Sequence, residues 1–357
     1  MSRRGRHGPV LGISTGGLQE ALAAYPEGSA AISASRRGTL RAMRNRVPGG
    51  SSLVLLGRLA PMGLGPILLA LALLARASSA SCLLDPSDRY DPRAEIPSGP
   101  FKGRCLDTRE LRSLRVVSRG EAEARGLAAR PGLLYLANVR HADRFWLAAV
   151  DPGAVEAAIV QIEFFPAIVP AAHTQLRFRF APGRQPVLVP QRGGAPKDRV
   201  RLRDLVYSVE AVPVVGGDPY DLVKGMEDHF GTAYRMVSLS DRYRRMVVTD
   251  HHRVIQLRLK LTPRERRELF VHAVRLGDRS GMKLMYHTLA RNCTTELVRA
   301  IDQTVAYSPW RSAVKNATFF MCSIPTELPH TLRIRGLLAD GAGSRMPDLD
   351  REMEGKR

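Results

Sequence analysis

Between Leu59 and Ala75 the chain reads LAPMGLGPILLALALLA, an apolar run of seventeen residues without a charge. A run of this length sits at the lower edge of what spans a bilayer, and its densest part has the length of a signal-peptide core. Arg44, Arg46 and Arg58 precede it, so the positive-inside rule puts residue 82 onward outside the cytoplasm. Small residues follow, Ala77-Ser78-Ser79-Ala80-Ser81-Cys82, and cleavage after Ala80 fits a signal peptidase. The same stretch resembles a lipobox ending at Cys82, although Ser79 stands where a large apolar residue is usual. A buried helix of a soluble protein is the opposing reading; Pro and Gly breakers and the lack of an amphipathic face argue against it. Residues 59–81 are therefore read as a signal peptide or membrane anchor. Residues 1–58 form a basic, low-complexity leader, within which Met43 opens a more ordinary signal sequence. The expected place is the cell envelope, either anchored in the inner membrane or exported to the periplasm.

Lys and Arg total 54 against 34 Asp and Glu, a formal charge of +20. Such an excess invites a nucleic-acid reading. Most of it is Arg, however, and part lies in the leader. No zinc-finger spacing, helix-turn-helix pattern or RNP-like aromatic strand accompanies it. No nucleic-acid partner is expected; the membrane, as an anionic lipid surface, is the better match for such a charge.

Beyond the apolar run, residues 82–130 are charged, contain Pro and read as a linker. From residue 131 the texture changes. LLYLANV and IVQIEFF are short, β-branched or aromatic stretches of strand character. His173 to Phe180 alternates, with Leu176, Phe178 and Phe180 on one face and Arg177 and Arg179 on the other. PVLVP and LVYSVEAV read as strands, as do TAYRMVSLS and the run from Arg245 to Leu261. Residues 218–230 read as a short helical stretch. Thr262-Pro263 with Glu265 starts a helix with a capping box and Pro at its first position, expected to close at Gly277. A second helix opens at Asn292-Cys293. Strands followed by helices, with no repeat and no second core, predict an α+β fold, an antiparallel sheet with flanking helices over residues 131–326. Residues 327–357 read as a polar tail.

The residues that carry chemistry are Cys293 and His173. A thiol is nucleophilic as thiolate, and its pKa falls at a helix N-terminus beside an imidazole. Cys293 stands at the first turn of a predicted helix, and His173 starts a strand. The two are far apart in the chain, so only the fold can join them. A lone Cys is more often an inert core residue, and spacing alone does not decide between the two.

A set of motifs adds to this: AAHTQLRFRF, VYSVEA, DPYDLVKGMEDHF, TAYRMVSLSD, HHRVIQLRLKLTPRERRELF and MYHTLARNCTTELV. In order and spacing they resemble the bacterial Lnb N-terminal periplasmic domain family, from His173 to about Ile301. The matching marks are His173-Thr174, Ser208-Val209-Glu210, Lys224-Gly225 and Asn292-Cys293-Thr294-Thr295. The resemblance implies a permuted papain-like (NlpC-type) core, in which the His strand precedes the Cys helix. It implies Cys293 as nucleophile, His173 as general base and acid, and Glu210 as the group that orients the imidazole. Tyr286 would support an oxyanion or the thiol, with backbone N–H groups at the helix start. Asn292, Thr294 and Lys224 are motif positions; Lys224 is read as structural, or as a contact for an anionic substrate. The family tends to have Asn after that Tyr, and here His287 follows, a candidate second base or substrate contact. The implied activity is acyl transfer, or amide or ester hydrolysis, on lipid, lipoprotein or another envelope acyl substrate, with no cofactor and no metal. A non-catalytic periplasmic binding or scaffold module is the alternative. Cys105 and Cys322 are read as unpaired structural residues, with a Cys105–Cys322 disulfide as the other option. His251-His252 is placed in a strand, where neighbours face opposite sides and do not share a metal.

Overall fold

The computed structural model describes residues 82, 84–128, 130–166, 171–193, 198–339 and 341–355. The leader and the apolar run lie outside these. No helix among the described residues is long and apolar enough to cross a membrane.

Among the described residues, eleven strands build one sheet: β1 Arg115–Val116, β2 Leu134–His141, β3 Arg144–Val150, β4 Val155–Phe164, β5 Ala172–Phe180, β6 Val187–Pro190, β7 Val200–Arg201, β8 Asp204–Val212, β9 Gly231–Ser238, β10 Arg253–Arg258 and β11 Arg345–Met346. Their order is β11-β10-β4-β5-β8-β9-β2-β3-β6-β7, with β1 paired to β2. All pairings are antiparallel except β2 with β9. The helices are α1 Arg119–Glu123, α2 Leu239–Tyr243, α3 Pro263–Ser280, α4 Cys293–Asp302, α5 Pro309–Ala317, α6 Leu328–Ile334 and α7 Leu349–Glu354. The fold is α+β with a mostly antiparallel sheet.

Alternation along β5 sends Leu176, Phe178 and Phe180 to one face, where they are fully buried. There Phe270 of α3 meets Phe178 and Phe180 edge-on, with centroids 5.0 and 5.7 Å away. Leu269, Val274, Leu297 and Ile301 complete the same core. Removing one such ring costs about 3–5 kcal/mol. Helix α3 carries the expected cap: Thr262 accepts from Glu265 N–H and Glu265 caps back. It runs past Gly277 to Ser280. Gly277 lies inside because a Cβ there would meet Leu114 at 2.9 Å and Tyr234 at 3.1 Å.

The other face of the sheet, the one that carries Arg177, is covered as well. Gln161, Gln175, Arg177 and Gln256 are fully buried rather than solvated. Arg177 donates to Asp204 at 2.7 Å and to both oxygens of Glu352 at 2.7 and 2.9 Å. Helix α2 and a wide-turn helical segment, Arg244–Thr249, cover part of this layer, with Leu239, Met246, Val254 and Leu349 as their shared core. The run from Arg245 is thus strand only over Arg253–Arg258, and His251 takes a left-handed φ of 54° just before it. Residues 218–230 hold one short turn of helix, Lys224–Met226.

Two flanks differ from their sequence reading. The segment read as a linker packs on the domain: Ile96, Leu106 and Leu114 are buried, and β1 joins the sheet. The segment read as a loose tail supplies α6, β11 and α7, with Leu328, Leu332 and Leu349 fully buried. Cys105 is disulfide-bonded to Cys82. A sulfur in a disulfide cannot carry a lipid thioether, so the lipobox reading of Cys82 is set aside. Cys322 is a free, buried thiol.

Candidate active site

The proposed residues converge at one end of the sheet. Cys293 is the first residue of α4, whose start is set by Asn292. The Asn292 Oδ1 accepts from Thr294 N–H at 2.9 Å and Thr295 N–H at 2.8 Å, and Thr295 Oγ1 accepts from Asn292 N–H at 2.9 Å. The Asn292 Nδ2 donates to the carbonyls of Thr288 and Ser323, fixing the cap to the neighbouring loops. Loss of such a cap costs about 1 kcal/mol. Two of the orphan N–H groups of the helix start are therefore used internally. The Cys293 N–H is not one of these and lies close to the Tyr286 hydroxyl.

His173 lies near the start of β5 with its imidazole beside the Cys293 thiol, close enough for the charge of each to act on the other. Its Nε2 is 3.3 Å from Ser208 Oγ and 3.6 Å from Glu210 Oε1. The Ser208 hydroxyl donates to Glu210. The β5–β8 register pairs Gln175 with Ser208, which brings His173 level with Glu210 two residues on. Glu210 is further held by Arg242 at 3.2 Å and Arg235 at 3.8 Å. Arg242 also donates to Gln175 Oε1 at 2.7 Å. Ser208 and Arg242 are members of this cluster that sequence reasoning did not single out. Ser208 sat in the quoted Ser-Val-Glu motif, on the same strand face as Glu210.

The charges are tuned by these contacts. Burial alone would push the Cys293 thiol up; the His173 charge, its hydrogen bond, and the Thr174 N–H and hydroxyl outweigh this and bring it down to about 7. Burial alone would push His173 down; Glu210 and Cys293 outweigh it and raise the imidazole to about 9. Burial would raise Glu210, yet His173, Arg242, Arg235 and Ser208 hold it at about 2. The imidazole thus holds its proton more tightly than the thiol does. The pair favours thiolate and imidazolium near neutral pH.

Tyr286 is buried, and burial with the nearby Cys293 keeps its hydroxyl protonated well above the usual range. The remaining motif residues make structural contacts. Thr294 Oγ1 accepts from Thr174 Oγ1 at 3.0 Å, tying helix to strand. Lys224 is exposed and pairs with Asp218 at 2.5 Å. Neighbouring Gly225 is sterically required, since a Cβ there would meet Thr288 Oγ1 at 2.3 Å. His287 Nδ1 accepts the N–H groups of Leu289 and Ala290, both at 3.2 Å, and so shapes the loop before α4.

The pair opens into a cleft of about 630 Å³ lined by Glu163, Tyr220, Leu222, Leu289 and Ile324 as well as the residues above. Glu163, Asp250 and His252 bring one metal-type ligand atom each within 4.8 Å of one another. His252 is engaged with Glu163 at 2.7 Å, and Arg242 and Arg245 pair with the two carboxylates. Two guanidinium groups thus already compensate the charge that a cation would need. A separate hollow of about 540 Å³ on the outer side of α3, lined by Arg267, His272, Arg275 and Arg279, contains no thiol.

The profile of one family, the Lnb N-terminal periplasmic domain, matches residues 142–327, just over half of the chain. Searches of curated proteins and of solved structures gave no match. The matched span contains β3 to β10, the His173 strand, the Glu210 strand and the Cys293 helix start. The chain belongs to the Lnb N-terminal periplasmic domain family and is a protein of the cell envelope.

Proposed function

We propose that this domain is a thiol enzyme of the envelope, catalysing acyl transfer or hydrolysis of an ester or amide. Its substrate would be a lipoprotein, a lipid or another envelope acyl compound. The order of a His strand before a Cys helix fits a permuted, NlpC-type papain-like core. The observation that carries the reading is the placement of Cys293, at a helix start, in one cleft with His173, which is backed by Ser208 at 3.3 Å and Glu210 at 3.6 Å; this setting lowers the thiol to about 7 and raises the imidazole to about 9. A core thiol has no reason to be lowered; burial alone raises it.

The Cys293 thiolate attacks a carbonyl carbon, forming a carbon–sulfur bond, and the carbonyl oxygen becomes an oxyanion. The Cys293 N–H and the protonated Tyr286 hydroxyl are the donors for that oxyanion. The imidazolium of His173 passes its proton to the leaving oxygen or nitrogen as that bond breaks, leaving a thioester. His173 then takes a proton from an incoming amine, alcohol or water, which attacks the thioester and releases the thiolate. Glu210, through its charge and the Ser208 hydroxyl, keeps Nε2 protonated.

Activity-based labelling of membranes with a thiol-reactive acyl probe tests this. Labelling of the wild type that disappears in Cys293→Ala supports the enzyme. Equal labelling of both would remove Cys293 from any catalytic role.

A further inference from the structure

Exposed apolar side chains border the cleft, and the first described residue is tied beside a loop that carries several of them. Among the described residues, eleven large hydrophobic side chains are exposed. Four of them, Tyr220, Leu222, Leu289 and Ile324, line the cleft, and Val223 and Met226 follow on the same loop as the first two. Val223 is 56% exposed. Isolated exposed hydrophobics need no explanation, but a contiguous group around a cleft does. The collar is held in shape: Thr288 N–H donates to Gly225 O at 3.0 Å, and Thr288 Oγ1 donates to Leu222 O at 2.9 Å. The Tyr220 hydroxyl lies 3.1 Å from Thr288 Oγ1. These apolar groups are therefore presented by a braced loop.

The disulfide ties Cys82 to Cys105. The Cys105 carbonyl accepts from Val215 N–H at 2.8 Å, Leu106 pairs with Val214, and Phe101 meets the His229 ring at 5.1 Å. Residues 214–229 are the collar's main loop. The first described residue is thus pinned beside the apolar collar. Only the stretch 76–81 lies between Ala75, where the apolar run ends, and Cys82. That stretch reaches at most about 25 Å when extended.

We propose that the collar docks on the lipid bilayer, seating the mouth of the cleft at the headgroup–acyl boundary of the membrane that holds the apolar run. This extends the proposed function by giving the thiol site its partner surface, and it is tested without activity. The loop carries Asp218, Asp221, Glu227 and Asp228 against Lys224. Despite the chain's charge of +20, attraction to anionic headgroups is not what holds this face. Apolar insertion is, so docking should persist on neutral lipid and at high salt.

The experiment uses the full chain in phosphatidylcholine liposomes. Val223→Trp is made in a Trp310→Phe background, because Trp310 is 76% exposed and would contribute its own signal, and the emission of buried Trp146 is subtracted using the Trp310→Phe parent. Arg264→Trp in the same background reports the opposite end of the sheet, exposed at the start of α3 beside the start of β4. With brominated phosphatidylcholine, an indole seated ~5–10 Å into the boundary loses about half its emission. That loss is expected for Val223→Trp and not for Arg264→Trp. It should survive ~1 M salt, where the Debye length is about 3 Å. No quenching at either position overturns the proposal. A blue-shifted but unquenched Val223→Trp indole overturns it in favour of a protein partner or a second copy. Quenching that vanishes in high salt overturns the apolar mode of attachment. None of these outcomes depends on Cys293, so the thiol reading stands or falls separately.

Discussion

Replacing Glu210 by Gln removes one negative charge 3.6 Å from His173 Nε2 while keeping the shape of the side chain. With an effective dielectric of 20, two unit charges at that distance attract by about 5 kcal/mol, roughly three pKa units. Arg242 and Arg235, at 3.2 and 3.8 Å from the same carboxylate, lose their compensation and act against the imidazolium as well. The His173 pKa therefore falls from about 9 toward or below that of the thiol. Cys293 loses the cation that lowers it and moves up from about 7. Taking a shift of only about one unit, the thiolate fraction at about pH 6 drops roughly tenfold. The assay is iodoacetamide alkylation across pH, read by mass spectrometry on the Cys293 peptide. Cys322 serves as an internal reference, since burial pushes its thiol up and it lies outside the site. Circular dichroism verifies that the variant is folded. Ser208→Ala provides a gentler perturbation, expected to shift the profile the same way by less. A folded Glu210→Gln protein with an unaltered alkylation profile would refute the argument and return Glu210 to the status of a structural ion pair.

Three further predictions follow from the same contacts. Glu210 is held at about 2 when folded against an ordinary 4.5, so its contribution to stability is present above the ordinary value and lost as pH falls toward 2. The loss is of order 3 kcal/mol, and urea melts between these pH values should be steeper in pH for the wild type than for Glu210→Gln. Cys105→Ser opens a disulfide spanning a sequence separation of 23 and should cost about 3 kcal/mol in urea unfolding; an unchanged midpoint would mean that the bridge adds nothing. Glu352→Gln strips a fully buried Arg177 of one of its two carboxylates. It should destabilise by about 3–5 kcal/mol, whereas a loose tail would leave the melting temperature unchanged.

Elements with an apolar face were legible in the sequence. The alternation from His173 to Phe180, the capping box at Thr262 and the polar start of the Cys293 helix each appear where their local physics puts them. The Ser208 and Glu210 face of β8 was also readable by period two. What the sequence hid is the second layer. Arg177 and Arg179 alternate with apolar residues and so resemble a solvated face, yet α7 brings Glu352 onto them. Period alone does not distinguish a polar face open to water from one covered by a polar partner. For the same reason residues 82–130 and 327–357 read as linker and tail: their buried anchors, such as Ile96 and Leu349, are single apolar residues among charges. Contacts made through the fold were hidden in the same way. His287 accepts from an N–H of its own loop, and Arg242, remote in sequence, holds Glu210.

The ion pairing of Arg177 with Glu352 also bears on how the domain opens. The two residues lie 175 positions apart in the sequence, so a central strand takes its counter-charge from a distant helix. If α7 comes away, Arg177 loses Glu352 and the polar layer of the sheet loses its cover. Local fraying of α7 is therefore costly, and the sheet and this helix open together as one cooperative unit. A molecule caught in that open state presents a poorly compensated guanidinium and a bared sheet face, the kind of surface on which proteolysis and aggregation begin.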